Sequence, residues 1–289
     1  MSTDLYEIDG FQFGRDTPVQ VVDVDRGDRS LLTQDVPRAT GLGRYMGHDE
    51  DDGPEWTFTL RTRESDEASA LDALAELRSV WHGTRNLNPG QVMSLRYELG
   101  GRGRRVVGRP RRFHESSSPS IREAGLINVV CTFQLSDPRS FGAGPGNTGE
   151  VTLTLVPEST GGLVAPLVSP LTTTRRGGVR AGVVHNTGDA PSPVSVTFYG
   201  PVANPKIYGV GWEVGITGNL AYDEQITVDA LGMSVKRQDG ADVGGRLTRG
   251  TRLNKAALAP GSQEIWFTGA DATGTARAVV SWAAAYWSL

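Results

Sequence analysis

Residues Asn186 to Tyr208 read N-T-G-D-A-P-S-P-V-S-V-T-F-Y-G-P-V-A-N-P-K-I-Y and set the pattern that the later chain follows. The middle of this segment alternates apolar and polar side chains with a period of two, as a half-buried strand does. The apolar face carries Val194, Val196 and Phe198, and the polar face carries Ser195, Thr197 and Tyr199. The chain breaks at Gly200-Pro201 and resumes at Asn204-Pro205, so the segment predicts two strands joined by a turn.

Further short strands follow this segment at regular intervals. The predicted strands are Glu213–Thr217, Gln225–Asp229, Met233–Arg237, Glu264–Phe267 and Arg277–Trp287. Asp239-Gly240 and Pro260-Gly261 supply turns between them. Short strands at even spacing, separated by turn residues, predict an all-β sandwich for this half of the chain.

The order of several short phrases in this half resembles a known family. The phrases are a Gly-Pro-x-x-Asn-Pro break at 200–205, an Ile-Thr-Val-Asp strand at 226–229, an Ala-Pro-Gly turn at 259–261, a Glu-Ile-Trp-Phe strand at 264–267 and a terminal strand with Trp282. Together they resemble the C-terminal galectin-like domain of siphophage distal tail proteins, the Dit family. The resemblance implies a galectin-like β-sandwich here.

The composition limits what the protein does. The chain has 289 residues, long enough for two domains, with 29 basic and 33 acidic side chains and a formal net charge of −4. A protein that coats nucleic acid would carry a basic surplus instead. No apolar run approaches the roughly 20 residues of a membrane helix, so we expect no membrane insertion. The first residues show neither a basic start nor an apolar core, so we expect folding in a host cytoplasm.

Cys131 is the single cysteine, so no intramolecular disulfide is expected. It lies in the predicted strand Leu126–Leu135, on the same face as the apolar side chains. We therefore expect a buried small hydrophobe rather than a reactive thiol.

The first half of the chain predicts strands around one helix. The strands are Leu5–Ile8, Val19–Val24, Trp56–Thr62, Val92–Leu99 and Leu126–Leu135. The helix is predicted to start at a Ser65 cap and to stop at Gly83. Its apolar stripe is Leu71, Leu74, Leu77 and Trp81, which we expect to cover a sheet. Arg26 to Pro54 shows little periodicity and predicts a long loop.

Two charged runs lie in this half. The acidic run is Asp49, Glu50, Asp51 and Asp52, and the basic run from Gly100 to Arg112 includes Arg102, Arg104, Arg105 and Arg109. The acidic run lacks the ligand spacing of an EF-hand loop, so a solvated loop or an interface is favoured over a Ca²⁺ site. The arginines repel one another unless something negative neutralises them. DNA phosphate is one candidate, and the acidic run of a neighbouring subunit, which we favour, is another.

The resemblance extends to the first half. A helix after a strand, a basic hairpin and a long last strand ending in Asp-Pro match Glu67–Trp81, Arg102–Arg112 and Leu126–Pro138. By that resemblance, residues 1–140 form a ring-forming split β-barrel-like domain with one helix, and residues 150–289 form the galectin-like sandwich. Residues 141–149, F-G-A-G-P-G-N-T-G, read as a linker by composition.

The sequence gives no sign of catalysis. The four histidines are scattered outside any metal-binding spacing, and no G-x-S-x-G elbow is present. We therefore expect no catalytic residues, no cofactor and no metal. Tyr208, Trp212 and Tyr222 lie near predicted strand ends, where a sugar-binding sandwich would stack its ligand, although core packing is the simpler explanation of the other aromatic residues.

The resemblance implies a structural virion protein of the siphophage tail tip. Its implied assembly is a hexameric homo-oligomer ring that connects the tail tube protein to the tail hub and anchors other baseplate or receptor-binding proteins, with DNA only in passage through the lumen. The acidic and basic runs are our hypothesis for the subunit interface, testable by reversing Arg104 and Arg105 to Glu. The alternative function is a carbohydrate-binding adhesion module, and a ring protein of a contractile injection machine is a third.

Overall fold

The computed structural model describes residues 4–28, 31–144, 146–155, 181–271 and 273–287. The chain divides into a first unit of Met1–Gly144 with Trp287–Leu289 and a second unit of Pro145–Tyr286. Both units consist mainly of antiparallel strands, so the predicted mainly β fold class is confirmed.

The first unit is a twisted sheet covered by a helix. Its strands are β1 Leu5–Ile8, β2 Phe11–Gly14, β3 Val19–Asp25, β4 Leu31–Thr33, β5 Val36–Pro37, β6 Arg44–Tyr45, β7 Asp49–Asp51, β8 Glu55–Thr62, β9 Met93–Leu99, β10 Arg102–Ser116, β11 Asn128–Leu135 and β12 Ser140–Gly142. Its helices are α1 Glu67–His82 and α2 Pro119–Glu123, with a 3₁₀ turn at Gly83–Asn86. The main sheet runs in the order β2-β1-β9-β10-β11-β8-β3, and β12 pairs with β10.

Helix α1 packs on this sheet through a stripe that differs from the prediction at its first position. The buried side chains are Ala70, Leu74, Leu77 and Trp81, whereas Leu71 is 44% exposed. Spacings of four, three and four keep the buried side chains on one side of a helix with 3.6 residues per turn. Leu71 lies one position after Ala70 and is therefore turned away from that side. The indole N–H of Trp81 donates to the carbonyl of Thr132 at 3.2 Å and so joins the helix to β11.

The helix cap is Asp66 rather than the predicted Ser65. The Asp66 carboxylate accepts a hydrogen bond from the backbone N–H of Ser69 at 3.0 Å, which is the bond an N-cap makes to the third helical residue. The same hydrogen bond favours the charged carboxylate and lowers the pKa of Asp66. Ser65 only donates to the Asp66 side chain.

The predicted long loop between Arg26 and Pro54 contains two small antiparallel ladders. Strand β4 pairs with β7, and β5 pairs with β6 inside them, so residues 31–51 form a nested hairpin that we call the arm. Its residues are exposed, with Asp35 and Asp51 half-buried. Backbone pairing alone defines these strands, and since neither face is buried, the side chains need not alternate. That is why periodicity did not reveal them.

Two further elements were not predicted. The polar segment after β10 holds the five-residue helix α2, which starts at Pro119 and is tied to α1 by an Arg122–Glu67 salt bridge of 2.5 Å. The predicted linker 141–149 is occupied at both ends by strands, β12 and β13 (Thr148–Thr154). Phe141 is buried and pairs with Arg105 of β10, an ordered role that the glycine-rich composition conceals.

The second unit is a sandwich, as predicted. Its remaining strands are β14 Ala181–Asn186, β15 Ser192–Tyr199, β16 Val202–Gly209, β17 Trp212–Gly215, β18 Asn219–Leu220, β19 Gln225–Asp229, β20 Ser234–Arg237, β21 Ala257–Leu258, β22 Gly261–Ala270, β23 Arg277–Ala283 and β24 Ala285–Tyr286, with 3₁₀ turns at Gly244–Arg246 and Leu253–Lys255. One sheet has the order β13-β23-β15-β19-β20 and the other β14-β22-β16-β17. Both bury their apolar faces in one core, where the rings of Phe198 and Phe267 lie 6.2 Å apart.

The segment that opened the sequence analysis forms β15 and β16. Its first residue, Asn186, is buried at the end of β14, where its amide nitrogen donates to the carbonyls of Ala190 at 2.8 Å and Leu258 at 3.1 Å. Asn204 has φ +48°, and the register of β16 against β22 shifts next to it, so Asn204-Pro205 forms a bulge within one strand. Cys131 is fully buried in β11, as predicted, and burial raises the pKa of its thiol.

Candidate functional site

The acidic run lies where the arm returns to the sheet. Asp49, Glu50 and Asp51 form β7, in which Glu50 is opposite Leu32 of β4, and Asp52 follows the strand. Asp49, Glu50 and Asp52 are exposed, and Asp51 is half-buried. Within the described ranges, Asp49 and Glu50 take part in no ion pair, so their charges are available to another molecule.

The arm also exposes apolar side chains that the sequence analysis did not single out. They are Leu31, Leu32, Val36, Leu42, Tyr45 and Met46, with Leu42 94% and Met46 80% exposed. Scattered single apolar residues are normal on a surface, but several on one short segment indicate a contact surface. The sequence does contain large apolar residues in this segment. They follow neither a strand nor a helix period, so periodicity does not single them out.

The arginines lie along one long central strand, β10, which forms a hairpin with β9 through Gly100 and Gly101. Strand β10 pairs with β9 on one side and with β11 on the other. Arg104 is opposite Tyr97, and Arg105 is opposite Arg96. Neighbouring side chains of a strand point to opposite faces. Arg104 and Arg105 therefore do not belong to one surface, which corrects the expectation of a single basic patch.

The remaining arginines of the predicted interface differ in availability. Arg109 donates from Nε to the carbonyl of Gln91 and from Nη2 to the carbonyl of Asn88, both at 2.6 Å, so the protein itself uses this guanidinium. The Arg105 guanidinium lies 6.0 Å from the ring centre of Phe141. Arg102, at the start of β10, is exposed and joins no ion pair of the described chain. Of the four predicted residues, Arg102 alone combines exposure with an available charge.

The three aromatic residues proposed for glycan contact do not form one site. Tyr208 and Trp212 line a groove of about 680 Å³ in the second unit, whereas Tyr222 lies at a separate depression beside Tyr199 and Arg277. Trp212 is only 7% exposed because its ring packs over Gly209, where an added Cβ would be 2.7 Å from the indole nitrogen. Tyr208 is 37% exposed and stacks on Trp266, with ring centres 5.5 Å apart and planes 20° apart.

The groove is made by register on the outer face of one sheet. Tyr208 of β16 is opposite Glu213 of β17 and Trp266 of β22, and Lys206 is opposite Thr268, so these side chains share the solvent face. The segment around the 3₁₀ turn Leu253–Lys255 adds Arg252 and Lys255 to the lining. No local sequence signal connects these two residues to Tyr208, because they lie more than forty positions further along the chain.

Two patterns, a cluster of metal-ligating side chains and a helix that could span a membrane, are not formed by the described residues. No group of three His, Cys, Asp or Glu side chains among those residues is placed to hold a metal ion. None of the helices formed by them is long and apolar enough to cross a membrane.

The fold of the whole chain is that of proteins from phage adsorption hubs and baseplates. The Dit protein of phage SPP1, described as a hub adsorption apparatus in phages that infect Gram-positive bacteria, superposes with a TM-score of 0.59 at 13% identity, over 98% of this chain and 99% of that one. Baseplate structures of phage p2 in its activated conformation match with TM-scores of 0.52 with calcium, at 9% identity, and 0.53 with strontium, at 11% identity. Both matches cover 97% of this chain and 98% of theirs. No protein-family model matches the chain, and no curated protein matches its sequence.

Proposed function

We propose that this protein is a structural component of a siphophage tail tip, a distal tail protein of the Dit type. The observation that carries the proposal is the end-to-end likeness to the SPP1 Dit protein, which covers both units in one alignment. A sandwich alone occurs in many unrelated proteins. The ordered pair of a helix-covered sheet followed by a sandwich is far more restrictive.

In this proposal the first units of six copies form a ring that continues the tail tube. A ring needs two different surfaces on each subunit that complement each other. The arm supplies one surface, since it combines exposed apolar side chains with the unpaired acids Asp49 and Glu50. The exposed Arg102 supplies positive charge for the other. The proposed partners are the tail tube protein, the tail hub protein and other baseplate or receptor-binding proteins.

The proposal places the protein in the virion, at the tail tip, as a non-enzymatic part. It rests on the likeness to hub and baseplate proteins and on the contact surfaces described above. DNA is expected to pass through the lumen of the ring without being bound in sequence-specific fashion, consistent with the net charge of −4.

The proposal is tested by the mass of the purified full-length protein in solution, followed by negative-stain images. We expect closed rings of six subunits, either alone or after the tail tube protein is added. The variant Asp49→Lys/Glu50→Lys should weaken the ring, and added salt should weaken it further. The control Asp72→Lys/Glu76→Lys makes the same charge change on the exposed face of α1 and should leave the ring intact. Monomers with and without the tube protein would contradict the proposal.

Reversing the charges of Arg104 and Arg105 would not test the subunit interface. Both residues are half-buried, and Arg105 lies over Phe141. Replacing them with Glu would disturb the sheet itself, so a lost ring would say nothing about the interface.

Carbohydrate binding remains the second candidate function. The observation that favours it is the exposed, stacked Tyr208–Trp266 pair in the groove of the second unit. Aromatic faces braced in this way offer apolar area with little loss of conformational freedom on binding. Neither Trp212, which is buried, nor Tyr222, which lies elsewhere, serves such a stack.

A further inference from the structure

The groove of the second unit is a positively charged surface on a negatively charged chain. Its charged lining residues are Lys206, Glu213, Arg252 and Lys255. The surplus is two positive charges, whereas the whole chain has a net charge of −4. Concave surfaces lined by one sign of charge concentrate ligands of the opposite sign.

The single carboxylate of the groove is already neutralised. Glu213 forms a salt bridge of 2.5 Å with Lys206, and both side chains are about two-thirds buried. Gly250 leaves room for that carboxylate, because an added Cβ would be 1.8 Å from its Oε1 atom. Glu213 is thus held by its neighbours and does not project into the groove as an independent negative charge.

Arg252 and Lys255 differ from Lys206. Both are exposed, and no carboxylate of the described residues forms a salt bridge with either of them. They lie on the same groove as Tyr208, so two available cations and one exposed aromatic ring face the same space. That combination suits a ligand that is both ring-shaped and anionic.

The wall of the groove contains a further group without a partner. The indole nitrogen of Trp212 is buried and has no hydrogen-bond acceptor among the described residues. Buried donors are normally satisfied. Its ring lies beside Gly209 of β16, the residue that follows Tyr208 and is paired with Trp212.

From these four observations we propose that the groove binds an acidic polysaccharide. A sugar ring stacks on Tyr208, and its carboxylate or phosphate group lies against Arg252 and Lys255. This inference rests on the carbohydrate-binding candidate and adds the ligand class to it. It is independent of the ring proposal, which concerns the first unit.

The proposal predicts binding that depends on charge and on one ring. The full-length protein is titrated with polygalacturonate, which carries carboxylates, with a phosphomannan, which carries phosphates, and with neutral dextran. We expect one or both acidic polymers to bind, dextran not to bind, and affinity to fall as salt is added. Tyr208→Ala and Lys255→Glu should each weaken binding by about tenfold or more.

Two matched variants control for general effects of charge and ring loss. Tyr222→Ala removes an exposed tyrosine outside the groove, and Lys236→Glu reverses an exposed lysine on β20 of the other sheet. Both should bind as the unchanged protein does. Equal loss in the controls, or no binding of either acidic polymer, would overturn the proposal.

Two other outcomes would identify a different ligand class for the groove, either a neutral polysaccharide or a nucleic acid. If dextran binds as well as the acidic polymers and Tyr208→Ala abolishes both, carbohydrate binding stands and the anionic specificity is overturned. If a single-stranded DNA oligonucleotide binds more tightly than either polysaccharide, the groove serves nucleic acid and the inference fails. Ring assembly measured on the same variants should be unchanged throughout.

Discussion

The cores of the two units consist of different kinds of side chain. The first buries a connected set of aromatic rings, namely Tyr6, Phe13, Trp56, Phe58, Trp81 and Tyr97. The second buries mostly Val, Ile, Leu and Ala, and its buried ring contact within the described residues is Phe198 with Phe267. In the first unit the helix joins this set through Trp81, whose ring contacts those of Phe13 and Phe58 on the sheet. Two pleated faces suit β-branched side chains.

The units also differ in the distribution of their exposed apolar side chains. The first unit carries the arm, whose apolar side chains contribute nothing to its own core. The second exposes single apolar side chains such as Val183, Val210 and Met233, and it has two depressions, one lined by Tyr208 and the other by Tyr222. Among the described residues, the first unit therefore concentrates exposed apolar side chains on one segment, and each feature of this comparison can be tested separately.

The largest effect is expected from the aromatic core. Phe58 is fully buried and contacts four rings, whereas Phe198 contacts one. Replacing either by Ala should lower the free energy of unfolding by about 3–5 kcal/mol, with Phe58→Ala the costlier by about 1–2 kcal/mol. Urea unfolding followed by tryptophan fluorescence measures both. If both variants lost the same free energy of unfolding, the additional ring contacts of Phe58 would not distinguish the two cores.

The next effect is expected from a buried polar side chain in each unit. Asn186 makes three hydrogen bonds to backbone groups, including one from the N–H of Gly188 at 3.0 Å. Thr62 makes two, to the carbonyl of Gly125 at 3.0 Å and from the N–H of Ile127 at 2.8 Å. We expect a loss of about 2–4 kcal/mol for Asn186→Ala and about 1–3 kcal/mol for Thr62→Val, because buried backbone groups lose their partners. A smaller loss for Asn186→Ala would mean that water replaces its bonds.

A smaller effect should come from the cap of α1, which belongs to the first unit only. Asp66 has a lowered pKa because its charged form accepts the Ser69 hydrogen bond, so its contribution is present above the unfolded pKa of about 3.9 and is lost as pH falls through the folded value. Asp66→Ala should therefore reduce Tm at neutral pH, and the difference from the unchanged protein should shrink in acid. Asp72→Ala, on the exposed face of the same helix, should show neither effect. A difference independent of pH would assign the role to packing.

The smallest effect on stability is expected in the arm. Leu42→Ser/Met46→Ser should change the free energy of unfolding by no more than about 0.5 kcal/mol, since both side chains are exposed. The matched change Leu60→Ser, in the core, should be strongly destabilising. If the arm variant lost stability like Leu60→Ser, the arm would have to be counted as part of the core.

The sequence predicted the elements whose side chains face a core. Alternation located β15 and β8, and helical spacing located α1, because burial on one face dictates those periods. It failed for the arm and for β12, which are defined by backbone pairing and, at Phe141, by a contact distant in the chain. The order of short phrases identified the fold that the SPP1 Dit likeness confirms.

The candidate surfaces were predicted less well, for a related reason. Sequence proximity grouped Arg104 with Arg105, but a strand separates neighbours to opposite faces. It grouped Tyr222 with Tyr208, although they line different depressions. The groove depends on register between β16, β17 and β22 and on the later Arg252 and Lys255, and no local pattern encodes that meeting.

The arm has a consequence for which positions of the chain tolerate substitution. Its side chains contribute nothing to the buried core, so substitutions at positions such as Leu42 and Met46 carry little folding cost. Phe58 and its neighbours have no such freedom, because each of them fills the core. Residues 31–51 are therefore positions where new surface side chains can be introduced without first adding stability elsewhere.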